Sequence, residues 1–167
     1  EDSSATVDLD YNGKPLEIMG NGSTATNPMN PTIIDANSLD RIFHGKCGNG
    51  AWYVSITGVT LTDGCANGGG CTSNGPGGYP AAGGAIYHNC ASQFYMDDVE
   101  ISDCRGSQGG GLAVCAAPAL TSVLTNLWIH DNTALSGGGG IVAHTTFTIA
   151  DSVIEGNAVT GFGTRGN

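Results

Sequence analysis

The sequence predicts an all-β fold: a single-domain parallel β-helix, a solenoid of about 5–6 coils built from short stacked strands. Three observations predict it: a recurring glycine-then-aliphatic corner, a second apolar motif recurring in step with it, and strand-like alternation without any sustained helical period. The glycine corner reads GGAI at 83–86, GGGL at 109–112 and GGGGI at 137–141. The second motif reads VTLTDG (59–64), VEISDC (99–104), LWIHDN (127–132) and SVIEGN (152–157).

The two motifs share one register. The aliphatics Ile86, Leu112 and Ile141 follow the glycine runs, 26 and 29 residues apart. Leu61, Ile101, Ile129 and Ile154 form the second series, 40, 28 and 25 residues apart. Five residues before each lies another apolar residue, Ile56, Met96, Leu124 or Ile149, and between them a corner at Gly58, Asp98, Asn126 or Asp151. Glycine, Asn and Asp tolerate the positive φ that a sharp corner demands, whereas β-branched residues do not. Runs such as V-E-I-S and L-W-I-H alternate with the period of a strand. Strands this short bury little alone, but piled at about 4.8 Å each covers its counterpart in the next coil.

Taken in order, residues 1–13 are expected to form an N-terminal cap or edge segment, and 14–167 the β-helix. KPLEIMGNG (14–22) and PTIIDAN (31–37) read as two segments of an early, less regular coil, and RIFHG (41–45) leads to the next. The 40-residue interval implies a Cys/Gly-rich loop insertion at about residues 65–82. Asn132 and Asn157 hold equal positions, as do Gly64 and Cys104, which suggests a short inward amide stack. GFGTRGN at the end resembles the approach to another glycine corner, so the last coil is expected to leave strand edges uncapped. The chain starts at Glu1 without methionine, consistent with a processed mature terminus or a trimmed chain.

Composition narrows the function. Glycine supplies 28 of 167 residues without a Gly-X-Y period, and the net charge is −10 with only five Lys plus Arg. So few cations argue against nucleic acid and anionic membrane surfaces as partners. No apolar run approaches the ~20 residues of a membrane span. The six cysteines, Cys47, Cys65, Cys71, Cys90, Cys104 and Cys115, contain no CxxC, which argues against zinc or haem. Disulfides in an oxidising compartment are expected, with scattered buried thiols as the alternative. Cys65 with Cys71 could close the loop CANGGGC, and Cys90 with Cys115 could staple neighbouring repeats; the pairing stays open.

Asp63, Asp103 and Asp131 occupy one position in successive repeats. Carboxylates stacked ~4.8 Å apart repel, or invite Ca²⁺, so these three are the candidate Ca²⁺ ligands; no other cofactor is expected. Asp97, Asp98, Asp103 and Asp131 are the candidate catalytic residues, since two carboxylates at glycosidase spacing can divide acid and base roles. The competing reading is that Asp simply suits solvated corners. The four histidines lack metal spacing and are expected to face solvent, and no Ser-His-Asp set stands out. Trp128 falls at an outward position between Leu127 and Ile129, so it is the candidate glycan or protein contact. Outward residues Thr60, Glu100, Trp128 and His130 form no regular threonine array, which argues against ice binding. The glycine runs lack the lysine and helix of a phosphate-binding loop.

Read together, these segments resemble the right-handed parallel β-helix proteins of the pectin-lyase-like superfamily, closest to secreted or surface proteins with polymorphic outer-membrane-type repeats. The likeness rests on GGAI, the N-T-A turn of LWIHDNTA and the TIIDAN and VSITGVTLTDG segments, and covers about residues 14–167. It implies a right-handed helix, an extracellular, cell-surface or periplasmic location, and roles in attachment or assembly. A polygalacturonase-like member would carry Gly-His-Gly and Arg-Ile-Lys segments, both missing here. The expectation is therefore a non-enzymatic structural, adhesive or assembly subunit acting through its sheet faces and uncapped end, with a protein partner or self-association and surface glycans as candidate partners. The alternative is a carbohydrate-active enzyme or carbohydrate-binding module on the same fold.

Overall fold

The computed structural model describes residues 9–10, 14–46, 53–66, 82–89, 93–115 and 122–161. In chain order the strands are β1 (Leu9–Asp10), β2 (Leu16–Met19), β3 (Ile33–Asp35), β4 (Phe43–Lys46), β5 (Tyr53–Thr62), β6 (Ile86–Asn89), β7 (Gln93–Ser102) and β8 (Arg105–Gly106). They continue as β9 (Leu112–Val114), β10 (Ser122–His130), β11 (Thr133–Ala134), β12 (Ile141–Ala143), β13 (Phe147–Ala150), β14 (Val153–Glu155) and β15 (Ala158–Val159). No described element is a helix, and no helix is long and apolar enough to cross a membrane.

The protein is all-β, with three sheets. The first runs β1-β4-β6-β9-β12, the second β13-β10-β7-β5-β2 with β14 on β10 and β3 on β5, and the third β15-β11-β8. Every strand pair is parallel.

Register follows the repeat read from the sequence. Ile34, Leu61, Ile101, Ile129 and Ile154 are successive partners across the second sheet. Ile18, Ile56, Met96, Leu124 and Ile149 form a parallel column. In the first sheet Leu9, Phe43, Ile86, Leu112 and Ile141 make a third. Their middle members are fully buried and form one apolar cluster. A two- to four-residue strand makes few ladder bonds, each worth about 1 kcal/mol net. One fully buried Leu or Ile adds roughly 1.5–3 kcal/mol, so the columns hold the short strands together.

The corners are where the sequence puts them. Gly58, Asp98, Asn126 and Asp151 have φ of 64°, 53°, 51° and 50°, and Asp63, Asp103, Asp131 and Gly156 have 52°, 56°, 54° and 63°. These are left-handed conformations, which Gly, Asn and Asp reach at least strain. In the first set only Asp151 separates two strands, β13 and β14; Gly58, Asp98 and Asn126 do not interrupt theirs. β5, β7 and β10 run straight through, pairing on both sides of the left-handed residue and skipping it.

The second glycine of each corner answers a different need. A Cβ on Gly84 would lie 2.2 Å from the carbonyl oxygen of Gly110, and one on Gly110 2.2 Å from that of Gly139. There the backbones of successive repeats nearly touch, and only glycine leaves room.

Three expectations are corrected. Cys104 and Cys115 are free thiols rather than disulfide partners. Cys104 fills a buried position whose neighbours in adjacent repeats are Gly64 and Asn132: the Gly64 amide donates to its Sγ at 3.3 Å, and its own amide donates to Asn132 Oδ1 at 3.0 Å. Pairing of Val114 with His88 sets Cys115 opposite Asn89 rather than Cys90. Cys65 is disulfide-bonded, and Cys47, Cys71 and Cys90 lie outside the described residues, as does most of the 65–82 insertion. Finally, His88 is fully buried instead of facing solvent, its ring stacked on Phe94 at 4.5 Å, because it sits two residues beyond inward Ile86.

Candidate functional site

Parallel register places Thr60, Glu100, Trp128 and Val153 side by side on the outer face of the second sheet. Two residues along, on the same face, His130 lies between Ser102 and Glu155. Over this face folds the segment 20–32 between β2 and β3. Its Thr24 hydroxyl donates to Glu100 Oε2, and its Thr24 amide donates to Thr60 Oγ1 at 2.8 Å. Glu100 is therefore only 5% exposed although it points away from the core.

His130 completes the network. Its Nε2 lies 3.2 Å from Glu100 Oε1 and its Nδ1 2.8 Å from Asp131 Oδ2. Burial alone lowers the basicity of the ring, but the hydrogen bonds and charges of Asp131 and Glu100 outweigh it and raise the pKa above 6.5. The Trp128 ring stacks on His130 at 3.8 Å, and its Nε1 donates to Glu155 Oε1 at 3.0 Å. Trp128 does face outward, as its alternation implies, yet half-buried and engaged by these two neighbours.

Of the nominated carboxylates, only Asp97 and Asp98 share a site, and both are engaged by neighbours. Asp97 Oδ1 accepts from Thr125 Oγ1 at 2.8 Å and Asn126 Nδ2 at 2.7 Å, tying β7 to β10. Asp98 accepts from Ser23 at 2.9 Å and from Thr26 at 2.7 and 2.8 Å, latching the 20–32 segment to the sheet. These two aspartates line a shallow cleft of about 570 Å³ with Asn21, Thr26, Asn27 and Thr57. Asp103 is exposed at its corner, and Asp131 is held by His130. Asp63, Asp103 and Asp131 do occupy matching left-handed corners. Among the described residues no group of three or more His, Cys, Asp or Glu is placed to hold a metal ion.

The sequence marked Glu100 and His130 as outward but not as partners. Their register, readable from the repeat, was the available signal. The contribution of Thr24, 76 residues before Glu100, carries no such signal.

Comparison with protein-family models, curated proteins and solved structures finds no match to this chain.

Proposed function

We infer that the three parallel sheets wind as one right-handed β-solenoid, akin to the pectin-lyase-like proteins, and that the chain is a non-enzymatic extracellular structural, adhesive or assembly subunit. One observation carries this reading. Asp97, Asp98 and Asp131, three of the four carboxylates nominated from the sequence, are engaged: Asp97 ties β7 to β10, Asp98 holds the covering segment, and Asp131 holds His130. An acid–base pair needs one carboxylate near the reacting bond and another at a defined distance, with room for substrate between them. Latches do not provide that. The acidic balance of the chain also opposes polyanionic substrates.

The test is turnover of polygalacturonate and neutral glycans, with Asp97→Asn and Asp98→Asn as controls. No hydrolysis or elimination is expected; robust turnover abolished in either variant would replace this reading with a carbohydrate-active enzyme. A second reading, glycan binding without cleavage, is favoured by the outward Trp128 beside Glu155. Retention on immobilised glycans that disappears in Trp128→Ala would support it.

A further inference from the structure

Between its two ends the segment 20–32 is fastened to the second sheet through polar groups. Ser23 and Thr26 hold Asp98, and Thr24 holds Thr60 and Glu100. Its apolar residues between 23 and 30, Ala25, Pro28 and Met29, all face solvent, Met29 at 92% exposure. The loop is also bonded to itself. The Asn27 amide donates to the Ser23 carbonyl at 2.8 Å, and Asn27 Nδ2 to the Asn21 carbonyl at 2.7 Å. A self-bonded loop that buries no large apolar side chain is the kind of element that opens before the rest of a fold.

One of its anchors faces a titratable group. Glu100 Oε1 lies 3.2 Å from His130 Nε2, and His130 Nδ1 lies 2.8 Å from Asp131 Oδ2. Both ring nitrogens therefore face a carboxylate. Only the doubly protonated imidazole has a hydrogen for each; the neutral ring must turn a lone pair toward one of them. Asp131, with 64% of its side chain exposed, can turn to water. Glu100, at 5%, reaches water only if the segment above it lifts. We propose that segment 20–32 is a pH-operated strap, closed over Glu100 while His130 carries both ring protons and released as one of them is lost.

The direction follows from charge. A covered carboxylate that loses its cation is costly, and lifting the strap hydrates it. The closed form therefore holds the proton more tightly than the open one. Burial disfavours the charged ring, but Asp131 and Glu100 outweigh it. Acid closes the strap and rising pH opens it. The remaining groups around the ring are Ser102 on β7, Glu155 on β14 and Trp128 on β10. Glu155 is a further negative charge, so none of the three replaces the imidazolium beside Glu100. The Asp98 anchor accepts from the Ser23 and Thr26 hydroxyls, which do not titrate over this range, and so acts as the hinge. Release uncovers Thr60 and Glu100 beside Trp128, giving the outer face two accessible forms whether or not the chain is a subunit.

The experiment is amide exchange of the 167-residue chain, followed by NMR from about pH 6 to 8. The reporter is the Thr24 amide, which donates to Thr60 Oγ1, set against the Ile101 and Ile129 amides in β7 and β10. Thr24 protection, corrected for intrinsic exchange, should fall by about fivefold or more as pH rises, while the strand amides keep theirs. Glu100→Gln still offers Thr24 an acceptor without a charge, so its strap should stay protected at both ends of the range. His130→Gln should remove the pH dependence, and circular dichroism checks that both variants fold. Linkage is reciprocal, so Thr24→Val, which removes the anchoring hydroxyl, should lower the pKa of His130 read from its ring resonances. Thr24 protection that does not change with pH, or that changes as much in Glu100→Gln, would overturn the proposal. So would an equal loss of protection at Ile101 and Ile129, which reports unfolding of the whole sheet.

Discussion

The side chain of Asn132 donates from Nδ2 to Asn157 Oδ1 at 3.0 Å, one repeat away. Asn132 Nδ2 also donates to the carbonyls of Ile101 and His130 at 2.9 and 2.8 Å, while its Oδ1 accepts the Cys104 amide. A single fully buried amide thus satisfies backbone groups of its own repeat and the one before it, where the chain turns out of the second sheet.

Asn132→Leu leaves the Cys104 amide and the Ile101 carbonyl without that partner. A stranded buried polar group costs about 1–3 kcal/mol, so urea unfolding should show a loss of roughly 2–4 kcal/mol. Asn157→Leu, at a half-buried site, should lose less. Equal losses would mean that the ladder contributes nothing beyond volume.

Gly110→Ala tests the close approach of the repeats. Its Cβ would meet the Gly139 oxygen at 2.2 Å and the Thr133 oxygen at 2.6 Å, both backbone atoms that cannot swing away. A destabilisation of about 3 kcal/mol or more is expected by thermal unfolding, in the range of severe overpacking. Gly161→Ala, with nothing within 4 Å, meets only the strain of φ 70° and should lose far less.

His130 makes stability depend on pH. Its folded pKa lies above the reference 6.5, so protonation favours the folded state. The stability it contributes is complete below about pH 6.5 and is lost as pH rises through the raised folded value. The facing groups are Glu100, Asp131, Trp128 and Glu155. The difference in urea midpoint between the wild type and His130→Gln should shrink as pH is raised from 6 to 8. A difference constant over that range would exclude the histidine as its source.

Cys104 is expected to resist alkylation. Burial pushes its thiol up to about 12, where the nucleophilic thiolate is scarce. At pH 8 iodoacetamide should label half-buried Cys115 first and Cys104 only when urea unfolds the chain, as peptide mass spectrometry reads directly. Rapid native labelling of Cys104 would contradict the buried column that Gly64, Cys104 and Asn132 form.

The side chains that stack were legible because stacking repeats one environment. Leu61, Ile101, Ile129 and Ile154 had to match in type because each meets its counterpart, and their register is the one that spacing implies. His88 was misread, because its polarity argued for solvent although it lies two residues beyond inward Ile86. Cys115 was less legible: a one-residue offset decides the face of a strand, and only the pairing of neighbouring Val114 with His88 reveals it.

By itself the sequence determined the repeat, the inward columns and the left-handed corners, because alternation and φ preference act over a few neighbouring residues. The tertiary structure alone decided that Thr24 and Ser23 cover Glu100 and Asp98, and that Asp97 and Asp98 act as latches. The contacts of Ser23, Thr24 and Thr26 with Asp98 and Glu100 join residues more than 70 positions apart, and their geometry depends on how a loop without periodicity settles over a finished sheet.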